Sequence, residues 1–223
     1  MFPVVLKPMM IDLTQPLTAS IPRFPGDPAV DIATMPGTEP WRVSRLAMGT
    51  HSGTHLDAPL HRIPGGAGIG AFGPERFAGT GLVIEARGFG ENAAIGSEVL
   101  ENVRDQVWPG WFAVIRTDWD RYWGDDRYFR HPYLSPALAR SLRDLGTGLA
   151  AIDALSVDST VDGGSEAHLT LLSADILIAE NLRNLSLLAS DRPYAFVALP
   201  LALGEVDGSP ARIIAWERGA SGL

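Results

Sequence analysis

The residues able to do chemistry crowd into one stretch, His51-Ser52-Gly53-Thr54-His55-Leu56-Asp57-Ala58-Pro59-Leu60-His61, which holds three of the chain's five histidines. Groups that can ligate a metal stand at 51, 55, 57 and 61. Every spacing is even, and in an extended segment even spacing puts side chains on one face. A helix could also join 51 to 55, but Gly53, Thr54 and Pro59 oppose it. In a flat strand, residues four apart lie about 13 Å apart at ~3.3 Å per residue. Two imidazoles can share an ion at about 2.1 Å only if the chain bends between them. Ser52-Gly53-Thr54 is the expected bend, because glycine accepts a bulge without steric cost. His55 and Asp57 need none. Two imidazoles and a carboxylate leave open positions on an ion, which suits catalysis better than a closed structural site. His61 falls just beyond them on the same face, where an imidazole of ordinary pKa about 6.5 could act on water as general base or acid. Ordinary hydrogen-bonded histidines are the competing reading, and the concentration of a scarce residue at these spacings favours metal.

Composition narrows the rest. The 223 residues include no cysteine, so thiol nucleophiles, redox pairs and iron–sulfur clusters are excluded. A metal must then be held by nitrogen and oxygen, which fits zinc first and manganese as the alternative. With 18 basic and 26 acidic residues the net charge is −8, and an acidic surface repels nucleic acid. The opening stretch is broken by Pro3, Lys7 and Pro8 and reads as no signal peptide. No apolar run reaches the roughly 18 residues of a membrane span. The expectation is a cytoplasmic protein with neither membrane nor nucleic-acid partner, and one domain over residues 1–223, since prolines and glycines are spread throughout without repeats.

The elements that must position the cluster read as α/β or α+β with a mixed sheet. Three prolines make residues 21–28 an ordered turn or lid. Strands are expected at residues 41–48, 82–86, 112–116, 149–153, 194–199 and 212–216. A helix is expected from Ser97 through Arg104, and another from about Ser173 to Asn181. The clearest helix begins at the N-cap Ser135, with Pro136 in its first turn, Leu138, Leu142 and Leu145 on one face and Gly146 as its stop.

Other signals weigh less. Gly68-Ile69-Gly70-Ala71-Phe72-Gly73 satisfies a dinucleotide-binding pattern but follows no strand and runs into Pro74. No nucleophile elbow surrounds Ser165 or Ser173. The aromatic stretch from Trp119 to Tyr133 reads as a packed loop or a pocket or interface lining, with His131 structural. Asp153 and Asp158 are candidates to orient the histidines.

The stretch 51–61 resembles the HxGTHxDAPxH signature of the cyclase-like metal-dependent hydrolases, which include bacterial kynurenine formamidase and isatin hydrolase. Weaker matches follow in order along nearly the whole chain, at residues 11–17, Phe24-Pro25-Gly26-Asp27, residues 115–119, residues 151–158, Ala198-Leu199-Pro200-Leu201 and residues 207–212. The resemblance implies a swivelling β/β/α fold with a barrel-like core flanked by helices, and usually a homodimer. It assigns His51, His55 and Asp57 to a first metal and His61 to proton transfer. It assigns His168 and Glu180, with Asp57, to a second metal, so that one or two ions bind per chain. It also implies that Phe24 contacts substrate, where formamidases carry a tryptophan. Asn181 departs from the glycine that follows the glutamate in formamidases, which places the chain among the general members.

The leading expectation is therefore a metal-dependent hydrolase opening a C–N amide bond of a small molecule, such as an N-formyl aryl or cyclic amide. The rivals are a metal-dependent lactonase, lyase or cyclase, and a binding protein without turnover. Retention of His61 argues against the last, since binding alone does not require it.

Overall fold

Runs such as Leu82-Val83-Ile84, Ala113-Val114-Ile115 and Leu177-Ile178-Ala179 are buried at every residue. Strands of this kind must be covered on both faces. The computed structural model, which describes residues 9–217, covers them by closing a sheet on itself. The opening patch around Pro3, Lys7 and Pro8 lies outside the described residues.

In chain order the strands are β1 (Ile11–Asp12), β2 (Asp31–Thr34), β3 (Ser44–Ala47), β4 (His55–Asp57), β5 (Ala78–Glu85) and β6 (Ala94–Ile95). There follow β7 (Phe112–Arg116), β8 (Tyr133–Leu134), β9 (Leu149–Ile152), β10 (Leu177–Glu180), β11 (Tyr194–Pro200) and β12 (Gly208–Glu217). A ring of seven runs β12-β11-β5-β7-β9-β10-β4 and returns to β12, with β1 added on β12. The arc β5-β7-β9-β10 is parallel and the remaining ring pairings are antiparallel. The mixed sheet expected from the strand pattern and the barrel-like core that the resemblance implied are thus both present. Strands β2 and β3 form a separate hairpin, and β6 pairs with β8.

Alternation sorts the side chains. Val83, Val114, Ala151, Ala179, Phe196 and Ile213 fill the barrel. Their neighbours Ile84, Ala113, Ile115, Ala150, Ile152 and Ile178 face outward into a second core beneath the helices. Helix α1 (Pro136–Asp144) begins as expected, with the Ser135 hydroxyl accepting from the Leu138 N–H at 3.2 Å. It buries Leu138, Ala139 and Leu142 and stops at Gly146, whose φ is +70°. Helix α2 (Glu166–Leu172) lies between β9 and β10 in sequence and buries Ala167, His168, Leu171 and Leu172.

Two expected helices are absent. Residues 97–104 form 3-10 turns instead, Ser97–Leu100 and Arg104–Gln106. Leu100 and Val103, the residues buried there, are three apart, a spacing a 3-10 turn serves as well as an α-helix. Ser173 ends α2 rather than starting a helix, and residues 177–180 are the buried strand β10. A short apolar run is ambiguous by periodicity, and pairing to β9 and β4 decides it. The strand expected at 41–48 shortens to β3, while that expected at 82–86 begins earlier, at Ala78.

Leu142, on α1, is fully buried in the outer core. Leu142→Ala is expected to cost about 2–5 kcal/mol in urea unfolding; a loss under about 1 kcal/mol would mean that α1 does not seal the outer core.

Candidate metal centre

Strand β4 is three residues long and is paired on both sides. His55 stands opposite Glu180 and Pro210, and Asp57 stands opposite Ile178 and Gly208. Leu56 points into the barrel, so His55 and Asp57 point out, on the face where α2 packs. The register puts Glu180 on that face beside His55. His168 joins them because it shares the buried face of α2 with Leu171 and Leu172. The strand accounts only for His55 and Asp57. His51 arrives from the turn before it, where Gly53 takes φ +67°, and His61 from the 3-10 turn Pro59–His61. The bend at Gly53 is where it was expected. The single extended face from 51 to 61 is not formed, because Pro59 starts a new turn.

Two donor clusters share Asp57. His51, His55 and Asp57 offer ligand atoms within 4.8 Å of one another, and so do Asp57, His168 and Glu180. Asp57 Oδ1 is 2.7 Å from His51 Nδ1 and 3.2 Å from His55 Nε2. Its Oδ2 is buried without a hydrogen-bond partner, 3.5 Å from His168 Nε2. Glu180 lies 3.5 Å from the Nε2 atoms of both His55 and His168. An unpartnered, buried carboxylate oxygen among imidazole nitrogens and a second carboxylate suits a divalent cation.

Each imidazole is turned by its other nitrogen. His55 Nδ1–H donates to the Gly53 carbonyl at 2.8 Å, which leaves Nε2 for the cluster. His168 Nδ1 lies 2.7 Å from Asp158 Oδ2, and the Asp158 carboxylate also accepts the Ala167 and His168 N–H groups at the start of α2. His51 Nε2 meets Asp207 Oδ2 at 3.0 Å, and Thr50 Oγ1 donates to Asp207 Oδ1 at 2.9 Å. Partners of this kind fix tautomer and ring orientation. Asp158 therefore orients a histidine as expected. Asp153 does not; its carboxylate accepts from Thr117 N, Thr117 Oγ1 and Asp118 N and braces a loop.

The charges follow this packing. Burial alone would lower the His55 imidazole, but Asp57 and then Glu180 outweigh it and raise its pKa to about 10. Burial likewise opposes a proton on His168, and Asp158 and Asp57 reverse the sign. Asp57, despite burial that would raise it, is held well below the usual carboxylate range by the surrounding histidines. The pocket thus favours positive charge. His61 is shifted the other way, below its ordinary value, chiefly by burial.

The sequence missed three contributors. Asp207 and Gly208 sat in a matched segment without a role. A Cβ on Gly208 would come within 2.6 Å of the Leu56 carbonyl and 2.7 Å of His51 Cε1. Asn181, noticed only as a departure, holds φ +60° directly after Glu180. Its side-chain amide donates to the Gly53 carbonyl at 3.0 Å, and Tyr128 OH donates to its Oδ1 at 2.8 Å. Tyr128, Trp119 and His131 are buried, so these members of the aromatic stretch are packed structure. The cluster's hydrogen bonds do not extend to Phe24, which is 44% exposed in a turn where Asp27 N–H donates to its carbonyl.

Residues 11–159 match the family described as Putative cyclase. The chain is 33% identical to a kynurenine formamidase of Bordetella petrii, covering 93% of this chain and 98% of the relative. Among solved structures it is similar to a predicted metal-dependent hydrolase from Bacillus stearothermophilus, with TM-score 0.79, 28% identity and 96% and 100% of the two chains covered. The fold also matches isatin hydrolase A from Labrenzia aggregata, with TM-score 0.82, 21% identity and 93% of each chain covered.

Two substitutions test the supports. Gly208→Ala, which drives a methyl group against His51, and Asn181→Gly, which keeps the left-handed backbone but leaves the Gly53 carbonyl with His55 as its one side-chain donor, are each expected to weaken metal retention about 10–100-fold in chelator competition. Unchanged affinity in both would show that these groups do not position the ligands.

Proposed function

Because the chain belongs to the cyclase family of metal-dependent hydrolases, we propose that it hydrolyses the C–N amide bond of a small molecule, such as an N-formyl arylamine or a cyclic amide. The observation that carries this reading is the shared carboxylate of Asp57, buried and flanked by two sets of nitrogen and oxygen donors. His51, His55 and Asp57 hold one divalent cation in this proposal, and Asp57, His168 and Glu180 a second. Zinc suits the donor set best, with manganese the alternative. When bound, the cation supplies Lewis acidity that polarises a carbonyl and acidifies water.

The protein's own part is proton handling and placement. His61 stands beside the ligands, its ring centroid 4.0 Å from that of His51 and 5.5 Å from that of His168. It accepts a proton from the water whose oxygen bonds to the carbonyl carbon. It returns that proton to the nitrogen as the C–N bond breaks, so the ring ends as it began. Phe24 contributes an aromatic edge for the substrate. The fit of the neighbouring segment supports this: Pro28 lies close against Gly49, and Leu17 against Gly53, in the turn that carries His51, so that a Cβ at either glycine would be tight. The hairpin of β2 and β3 exposes Ile32, Val43 and Leu46, with Trp41 between its strands. Such a surface supports a homodimer in which a second copy covers it.

Chelated protein should be inert toward a panel of formanilides, isatins and lactones, and zinc or manganese should restore turnover of the amides. His61→Ala should keep its metal and lose about 10²–10⁴ in kcat. Full activity in that variant would remove His61 from the mechanism, and turnover of the lactones alone would replace amide hydrolysis with ester chemistry.

A further inference from the structure

The mouth of the site carries donor atoms that the inner clusters leave over. Asp207 Oδ2, besides meeting His51 Nε2 at 3.0 Å, lies 3.8 Å from His61 Nδ1. The three residues His51, His61 and Asp207 form a further group of ligand atoms within 4.8 Å of one another. Unlike the inner clusters this one is open: the side chains of His61 and Asp207 are 34% and 42% exposed. His51 turns Nδ1 inward, 2.7 Å from Asp57 Oδ1. Once Nδ1 ligates an inner ion, the ring's proton resides on Nε2, which donates to Asp207. What remains for an incoming ion is His61 Nδ1 and Asp207 Oδ2. Their separation is one that a single cation, bonding at about 2.0–2.1 Å to each, can straddle.

We propose that His61 and Asp207 form an outer, inhibitory zinc site, filled only after the inner donors. This inference rests on the role given to His61 above. A neutral imidazole has one free lone pair. When Nδ1 gives it to zinc, the other nitrogen carries the hydrogen and the ring can no longer accept a proton from water. Two protein ligands at an exposed position bind more weakly than three in a buried one, so inhibition separates from activation along the zinc concentration axis. An imidazole donor also favours zinc over magnesium, which prefers all-oxygen sites.

The test uses protein already loaded at its inner donors, at fixed pH, with free zinc raised in a metal buffer. Amide turnover and bound zinc are both followed, the latter by equilibrium dialysis. Activity should fall from its plateau as one further equivalent binds per chain, and magnesium should not reproduce the fall. Asp207→Asn keeps an acceptor for His51 Nε2–H but removes the anionic ligand, and should move both the fall and the extra equivalent to zinc at least about tenfold higher. His61→Ala should lose the extra equivalent while keeping the inner metal. No extra equivalent up to millimolar zinc, or an unshifted one in both variants, overturns the proposal. If no substrate is turned over, the function reading fails by itself, and the dialysis measurement still decides whether the outer site exists.

Discussion

Burying the Asp57 carboxylate completely costs several kcal/mol unless opposite charge and hydrogen-bond donors surround it. Much of the architecture around β4 answers that demand. The strand is clamped between β10 and β12, so its carboxylate cannot retreat toward solvent. His51 comes from the preceding turn, His55 from the same strand, and His168 from a helix whose packing on the outer core sets its depth. Glu180 enters opposite His55 by register. Together they make a pocket in which positive charge is favoured, whether it arrives as protons on the imidazoles or as a divalent cation.

Rigidity at this centre comes from bonds one step out. The Gly53 carbonyl receives both His55 and Asn181, and Asn181 is held in turn by the buried Tyr128 hydroxyl. Thr54 Oγ1 donates to the Asn181 carbonyl at 2.6 Å while accepting from Gln15 N–H at 2.8 Å. The bend that brings His51 back over Asp57 is therefore tied to three distant segments. Asn181 fills a left-handed position that glycine would fill with less strain. Its side chain offsets that strain with two buried hydrogen bonds.

Asp153 and Asp158 show how similar sequence contexts part company. Both follow β9 and both are buried. Asp153 meets the loop after β7 and is consumed by backbone N–H groups there. Asp158, five residues on, meets the first turn of α2, where the N–H groups of Ala167 and His168 and the His168 ring converge on one carboxylate. Helix capping and ligand orientation are a single act at this residue.

Much of the site was legible along the chain. Residue types and spacing from 51 to 61 specified the nitrogen and oxygen donors and the need for a bend, because those depend on local geometry and on the absence of cysteine. The barrel strands showed themselves wherever an apolar run was long, and α1 was marked by its own cap and stop. Local pattern was not enough for β10 or for the 3-10 turns at 97–106, where neighbouring strands and core residues choose the conformation. It was not enough for the joining of His168, Glu180 and Asp207 to the motif, which lie more than a hundred residues away. The sequence by itself determined which atoms could bind a cation and what chemistry they suit. Only the tertiary structure decided which atoms meet, because strand register and ring closure, not spacing, set distances between residues remote in the chain.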